Sequence, residues 1–180
     1  MLEDLSHHIL DIAENGVNAG ADSIGVTFDD DGEFIRLTVR DNGRGMSEAT
    51  ARAVVDPFYT TRTERRVGLG LPFLKQLTEL CGGEFLLSSA PGKGTTVSAS
   101  FSKQCVDTPP PGDIPSTLLT LLVGHGHISW KYVHRVGKRE FLLDSDELKD
   151  ALGGGNPFTD PALAVGVKEY IAENIGELYM

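Results

Sequence analysis

The predicted strands of this chain come in pairs, and this pairing limits the fold more than any other feature of the sequence. Ile24, Val26 and Phe28 alternate with other residues, and the turn DDDG separates them from a second strand, FIRLTV. EFLLSSA and TTVSASF form another pair around PGKG, and ISWKYVHRV with REFLLD form a third. Strands joined by short turns pair antiparallel, so we expect a sheet that is built from hairpins.

Helical patterns separate these hairpins. Apolar residues at helical spacing predict a helix from Leu2 to about Asn18, and further helices are expected at 47–55, 69–81, 114–123, after 145 and at 162–178. Helices that alternate with hairpins most simply cover one face of the sheet. The prediction is an α+β fold, a two-layer sandwich with a mixed or antiparallel sheet and a small α+β C-terminal appendage.

The segment DTPPPGD, residues 107–113, predicts a boundary, because consecutive prolines exclude both a helix and an inner strand. We therefore expect a first domain at 1–104, a proline-rich linker at 105–113 and a C-terminal region of unknown role at 114–180.

Charge and hydropathy argue against several classes of function. The chain has 26 acidic and 16 basic residues, and its net charge of -10 disfavours binding to nucleic acid or to an anionic membrane. No run approaches the roughly 20 apolar residues that span a bilayer, and no secretory signal is visible. Cys81 and Cys105 lie in different segments, outside CxxC spacing, and are interpreted as reduced thiols of a cytoplasmic protein.

Three glycine-containing segments carry the candidate chemistry. DNGRGM, residues 41–46, follows a strand; its glycines let the backbone approach a flat ligand, and Asp41 offers a carboxylate to an exocyclic amine. GLGLPF, residues 68–73, opens a helix whose unpaired N–H groups suit phosphates. GKGTT, residues 92–96, is a hairpin turn. Each segment alone is equally an ordinary turn or helix start, and only the combination is informative.

The helix segment DIAENGVNAGAD precedes these three motifs. Together the four segments occur in the order found in the ATP-binding domain of the GHKL superfamily. Residues 1–104 resemble that domain. This superfamily includes gyrase, heat-shock chaperone ATPases, mismatch-repair ATPases and histidine kinases. AENGVNAGAD resembles the mismatch-repair helix, and DPFYTTRTERRVGLGLPFLKQLTELCGG resembles histidine kinases. SxHILDI, DPFxTTRTxRxVGLGxP and a proline-rich GD linker are similar to small stand-alone histidine-kinase-like ATP-binding proteins of anaerobic bacteria. The implied fold is of the Bergerat type.

The resemblance implies a role for each matching residue, with ATP and Mg²⁺ as cofactors. Asp11 stands at the position of the catalytic carboxylate, which in hydrolysing members orients and deprotonates water, and Asn15 at that of the Mg²⁺ ligand. Asp41 stands at the position of the carboxylate that accepts a hydrogen bond from the exocyclic amine of adenine. The other implied nucleotide contacts are Asn18, Gly43, Gly45, Met46, Thr60, Thr61, Arg62, Gly68, Leu69, Gly70, Leu71, Thr95 and Thr96, of which one threonine of the last pair would help to hold the base.

Four features depart from the superfamily pattern or allow more than one interpretation. Position 11 holds Asp where Glu is commoner, and the lid from Pro57 to Val67 is short. Arg62, Arg65 and Arg66 in that lid suit either phosphate contacts or a solvated basic loop. The usual strand before the first helix is missing, so either the sheet is one strand short or the C-terminal segment completes it.

The histidines allow more than one interpretation. His7 and His8 precede Asp11 on one helix, and we favour packing at the rim of the pocket over a phosphate-accepting or metal-binding role, because adjacent helical histidines point in different directions. GHGH at 124–127, with His134, lacks the residues that would complete a zinc site and is interpreted as a polar turn.

The expected function is that of a Mg-ATP-binding ATPase or phosphotransferase, acting on a separate protein partner or phosphoacceptor in signalling. Because the ATP helix starts almost at residue 1, we expect no domain with an acceptor histidine before it. The alternative is a nucleotide-gated interaction module with little turnover. It is suggested by Trp130, Tyr132 and Phe141, which could equally form a small hydrophobic core. A homodimer remains open.

Overall fold

The computed structural model describes residues 4–58 and 70–180. In chain order the helices and strands are α1 (Leu5–Asn18), β1 (Ser23–Asp30), β2 (Phe34–Asp41), α2 (Glu48–Ala53), α3 (Gly70–Leu80), β3 (Phe85–Ser89), β4 (Thr95–Ser102), α4 (Ile114–Gly124), β5 (Ser129–Val136), β6 (Arg139–Asp144), α5 (Ser145–Ala151) and α6 (Pro161–Leu178). A short 3₁₀ helix, Pro157–Thr159, precedes α6. The predicted order of helices and hairpins is confirmed.

All six strands belong to one mixed sheet of order β3-β4-β2-β1-β5-β6. Neighbouring strands run antiparallel except β1 and β5, which pair in parallel over their whole length. The α+β sandwich with a mixed sheet is confirmed. Of the two alternatives for the missing strand, the second is correct: the C-terminal strands complete the first sheet, so they are not a separate appendage. The physical reason is that the edge of β1 would otherwise present unpaired backbone groups.

The helices cover one face of this sheet. On β2 the buried residues are Ile35, Leu37, Val39 and Asp41, which alternate with exposed or half-buried ones. Successive side chains of a strand point to opposite faces, so this pattern assigns one face of the sheet to the core and the other to solvent.

Among the described residues, no helix is both long and apolar enough to cross a bilayer.

The C-terminal aromatic residues belong to the core. Trp130, Tyr132 and Phe141 are only 4%, 1% and 6% exposed. Tyr132 is opposite Val26 across the parallel pair of strands, so it packs on the same face as the residues of the first hairpin. Of the two interpretations of these aromatic residues, the hydrophobic core is therefore correct.

Helix α1 is held at both ends by specific hydrogen bonds. Asp4 caps its start by accepting a hydrogen bond from the N–H of His7 at 3.0 Å. The N–H groups of Leu5 and Ser6 donate to carbonyls of the proline segment 107–113, at 2.9 and 3.0 Å. At the other end, the N–H of Ala19 donates to the carbonyl of Asn15. These bonds fix the helix that carries Asp11 and Asn15.

Candidate functional site

Asp41 ends β2 on the face that the helices cover, where it is 8% exposed. Its Oδ1 accepts a hydrogen bond from the N–H of Gly43 at 2.8 Å, which shapes the DNG turn. Asn42 secures the same turn, because its Oδ1 accepts from the N–H groups of Asp22 and Ser23 at 3.0 Å each. Within the described parts of the chain, Oδ2 of Asp41 accepts no hydrogen bond, so a ligand donor could use it.

Glycines let three segments meet around Asp41. A Cβ atom at Gly16 of α1 would lie 2.9 Å from the Cβ of Asp41. Gly94 has a φ of 76°, and a Cβ atom there would overlap the carbonyl oxygen of Asp41. Gly45, with a φ of 68°, makes the same kind of approach to the carbonyl of Ala90. Side chains at these positions would separate α1, the DNG turn and the β3–β4 hairpin.

The strand register separates the two candidate threonines. Thr95 is opposite Asp41 across the pair of strands β2 and β4. Thr96 is opposite Arg40. Because successive residues of a strand face opposite ways, Thr95 shares the face of Asp41 and Thr96 lies on the other face. The geometry therefore brings only Thr95 to the candidate site.

Ser89 connects two of the motifs, although no sequence pattern singled it out. Its Oγ accepts a hydrogen bond from the N–H of Met46 at 2.8 Å and lies 2.9 Å from Oγ1 of Thr95. It also donates to the carbonyl of Gly94 at 3.0 Å. The hydroxyl group thus joins the DNGRGM segment to the GKGTT turn. Its position at the end of the strand before PGKG is the only signal in the sequence.

Asp11 lies against the first residue of α3. A Cβ atom built on Gly70 would overlap Oδ2 of Asp11, so the carboxylate contacts the N-terminus of this helix directly. Asp11 is partly buried, and desolvation raises the pKa of its carboxyl group. Asn15 lies one turn further along α1 on the same side and is also partly buried.

These groups fit a magnesium-bound phosphate. The first N–H groups of a helix have no partner within the helix and lie at the positive end of its dipole, so the start of α3 at Gly70 favours an anion. A phosphate there would lie beside the Asp11 carboxylate, and two anions in contact repel each other unless a cation lies between them. Mg²⁺ prefers oxygen ligands, and Asn15 supplies an amide oxygen nearby.

The remaining predicted contacts divide into three groups. Asn18, at the end of α1, is exposed, and its carbonyl accepts a hydrogen bond from Arg44 at 3.3 Å. Leu71 is 8% exposed and packs with the hydrophobic core. Thr60, Thr61, Arg62, Gly68 and Leu69 lie outside the described residues, as do Arg65 and Arg66.

The histidine pair on α1 divides between the core and the surface. His8 is 1% exposed and stacks on Phe73 of α3, with 6.0 Å between ring centroids. Burial lowers the pKa of His8 to about 4, so the ring is neutral at pH 7. His7 is exposed, and its Nδ1 lies 2.9 Å from Oδ1 of Asp4. Packing is therefore the role that the structure supports for His8.

The C-terminal histidines contact separate partners. Nε2 of His125 lies 2.9 Å from Oε1 of Glu14 on α1. His134 is buried between two tyrosine hydroxyl groups, at 2.7 Å from Tyr132 and 3.0 Å from Tyr179. Over residues 4–58 and 70–180, no group of three His, Cys, Asp or Glu side chains is placed to hold a metal ion.

Comparison with known proteins identifies a family for the segment that carries this site. Residues 2–104 match the family described as histidine kinase-, DNA gyrase B-, and HSP90-like ATPase. The chain is 32% identical over 151 residues to the virulence sensor protein BvgS of Bordetella bronchiseptica, a match that covers 71% of this chain and 12% of that protein. It is also 32% identical over 108 residues to the sensor histidine kinase YcbM of Bacillus subtilis. That match covers 56% of this chain and 35% of YcbM.

A solved structure agrees on the fold. The N-terminal domain of a DNA repair protein superposes with a TM-score of 0.56 at 18% identity, over 86% of this chain and 58% of that one. The chain therefore spans only a minor part of the two sensor proteins and somewhat over half of this domain. Because the family match covers more than half of the chain, from α1 to the end of β4, the protein belongs to the histidine kinase-, DNA gyrase B- and HSP90-like ATPases.

Proposed function

We propose that this protein binds Mg-ATP between α1, the DNG turn and α3, and acts in the cytoplasm as an ATPase or phosphotransferase on a separate partner protein. The observation that carries the proposal is the contact of Asp11 with Gly70, which joins a carboxylate to the N-terminus of a helix. Membership of an ATPase family supports the choice of nucleotide.

The adenine end of the site is assigned to Asp41. Its carboxylate is held by Gly43, and its Oδ2 is open to a donor such as the exocyclic amine of adenine. Thr95 lies opposite on the same face and shares a hydrogen bond with Ser89, so it could contact the base directly or through water. Gly16 and Gly94 let α1 and the β3–β4 hairpin pack closely against Asp41, which fixes the position of its carboxylate.

Replacing Asp41 with Asn tests the adenine assignment. The variant loses a charge-assisted hydrogen bond and presents an amide that can turn a donor toward the amine. We expect the affinity for Mg-ATP and Mg-ADP to fall by about 10- to 100-fold. Calorimetric titration of both nucleotides measures it. Asp107→Asn is the matched control, because Asp107 is exposed in the segment after β4, at the opposite end of the sheet.

An unchanged affinity in Asp41→Asn would overturn the adenine assignment. An equal loss in Asp107→Asn would instead point to an effect of net charge.

The reactive end of the site is assigned to Asp11. Burial raises the pKa of its carboxyl group, which makes the carboxylate a stronger base. It would orient the attacking hydroxyl group, from water or from a protein acceptor, and take its proton. Asn15 would hold Mg²⁺, which when bound neutralises phosphate charge. The helix N-terminus at Gly70 would hold the phosphate oxygens.

Replacing Asp11 with Asn tests this role. The amide keeps the size of the side chain but cannot accept the proton, so phosphate release or transfer should fall by about 10²- to 10⁴-fold while nucleotide still binds. Incubation with γ-labelled ATP and candidate partners measures both reactions. Glu14→Gln is the matched control on the same helix, because Glu14 contacts His125 instead of α3.

If the wild-type protein releases and transfers no more phosphate than Asp11→Asn, the catalytic role is wrong. Tight binding together with that result would leave a nucleotide-gated interaction module. The aromatic residues that suggested such a module are buried in the core, so the structure offers no exposed aromatic surface on that hairpin in its support.

A further inference from the structure

Cys81 and Cys105, which the sequence presented as unrelated thiols, are in contact in the fold. They are 24 positions apart, and their sulfur atoms lie 2.8 Å from each other. Cys81 directly follows α3, and Cys105 lies just beyond β4. Both are free thiols. The sulfur atoms of a disulfide are about 2.05 Å apart, so a bond would require them to close by less than about 1 Å.

The two thiols differ in exposure and in acidity. Cys81 is 1% exposed, whereas Cys105 is partly exposed. The hydrogen bond with Cys81 lowers the pKa of Cys105, and burial raises the pKa of Cys81. The thiolate is the reactive form of cysteine. The pair therefore combines an accessible thiol that ionises more readily with a shielded thiol in contact with it.

We propose that Cys81 and Cys105 form a reversible disulfide in response to a peroxide or a small disulfide, and so constitute a redox-controlled cross-link between the end of α3 and the segment after β4. With hydrogen peroxide, the Cys105 thiolate attacks one oxygen, the O–O bond breaks, and a sulfenic acid and hydroxide form. The hydroxide takes up the proton that Cys105 released on ionising and becomes the first water. Cys81 then attacks the sulfenic sulfur, the S–O bond breaks, and the sulfenic oxygen leaves as the second water with the proton of the Cys81 thiol. Two thiols and one peroxide give one disulfide and two waters.

A small disulfide reaches the same product by exchange. The Cys105 thiolate attacks one of its sulfur atoms and releases one thiol, leaving a mixed disulfide on Cys105. Cys81 attacks that mixed disulfide and releases the second thiol. A dithiol reductant returns the disulfide from either route to two thiols and is itself oxidised to a disulfide.

The cross-link would join segments that hold the two helices of the candidate site. From Cys105 the chain continues to Pro110 and Pro111, whose carbonyls accept hydrogen bonds from the first N–H groups of α1. At the other side of the bond, α3 runs back to Gly70, which contacts Asp11. Oxidation would therefore tie the end of α3 to the segment that holds the start of α1.

The test uses the full chain at low concentration, treated with hydrogen peroxide or with graded mixtures of oxidised and reduced glutathione. We expect both thiols to disappear together and the intact mass of the monomer to fall by two hydrogen atoms. Dithiothreitol should reverse the change. The oxidised protein should melt on the order of 10 °C higher, because the bond closes a loop in the unfolded chain.

Cys105→Ser is the matched variant, because this residue is partly exposed and its replacement disturbs the core least. Under the same treatment it should keep one thiol and show no rise in melting temperature. Its melting temperature when reduced, compared with that of the reduced wild type, verifies that it folds.

Two results would overturn the proposal. One is oxidation that ends in cross-linked dimers. The other is a Cys105 that carries glutathione or a sulfinic acid while Cys81 keeps its thiol. Neither result bears on nucleotide binding, so the proposed function and this inference can fail separately.

Discussion

Gly70 matters through the side chain that it lacks. The residue begins α3, where alanine would fit the helical backbone well, but a Cβ atom there would overlap the carboxylate of Asp11. The contact of the Asp11 carboxylate with the start of α3 thus depends on a single missing methyl group. A residue with ordinary helical geometry can therefore be constrained by a neighbour that is distant in sequence.

Gly70→Ala should separate activity from stability. The new methyl group must push Asp11 from the helix N-terminus, and a displacement of about 1 Å can cost about 100-fold in rate. The free energy of unfolding should change by less than about 1 kcal/mol, because alanine favours the helix. Phosphate release and urea denaturation measure the two effects. Gly176→Ala in α6, where the methyl group meets open space, should leave activity unchanged.

At the scale of elements, α1 approaches the sheet closely because of Gly16. Both the Cβ of Asp41 and the side chain of Ile24 would lie within 3.1 Å of a methyl group there. A larger residue at position 16 would therefore push α1 away from the end of β2. This contact positions Asp41 relative to Asp11 and Asn15, which lie on the same helix.

Gly16→Ala should destabilise the protein by about 1–2 kcal/mol, because overpacking against Asp41 exceeds the gain in helix propensity. Nucleotide affinity should also fall, since Asp41 must move. Gly166→Ala in α6 is the control: its methyl group meets open space, and it should stabilise the protein by about 1 kcal/mol. Urea denaturation measures both, and a stabilised Gly16→Ala variant would contradict the packing argument.

At the scale of the whole molecule, the C-terminal third is part of the first sheet. β5 covers the edge of β1, and α4 packs on α1. The hydrophobic core includes residues from both sides of the proline segment, such as Phe28 and Tyr132. The boundary that the prolines predict along the chain therefore does not divide the core.

A chain truncated after residue 104 should not fold cooperatively. It would leave the edge of β1 unpaired and expose Ile24, Val26 and Phe28, which are at most 2% exposed in the full chain. We expect aggregation on size-exclusion chromatography and no cooperative transition in urea. A monomeric fragment with a sharp unfolding transition would instead show that residues 1–104 are an independent domain.

Patterns that act over a few residues along the chain could be interpreted from the sequence alone. Alternation predicted the three hairpins, apolar residues at helical spacing predicted the helices, and glycines marked turns; the order of motifs indicated the ATPase family. Each of these signals depends on neighbours in the chain, so a single sequence contains it in full.

Only the tertiary structure decided which distant segments meet. The parallel pairing of β1 with β5, the choice of Thr95 over Thr96, the contact of Asp11 with Gly70 and the pairing of Cys81 with Cys105 all join segments that are far apart in sequence. Such contacts depend on how the whole core packs, since burial and backbone pairing are satisfied jointly by all the elements. Periodicity and turn residues carry no information about these partners.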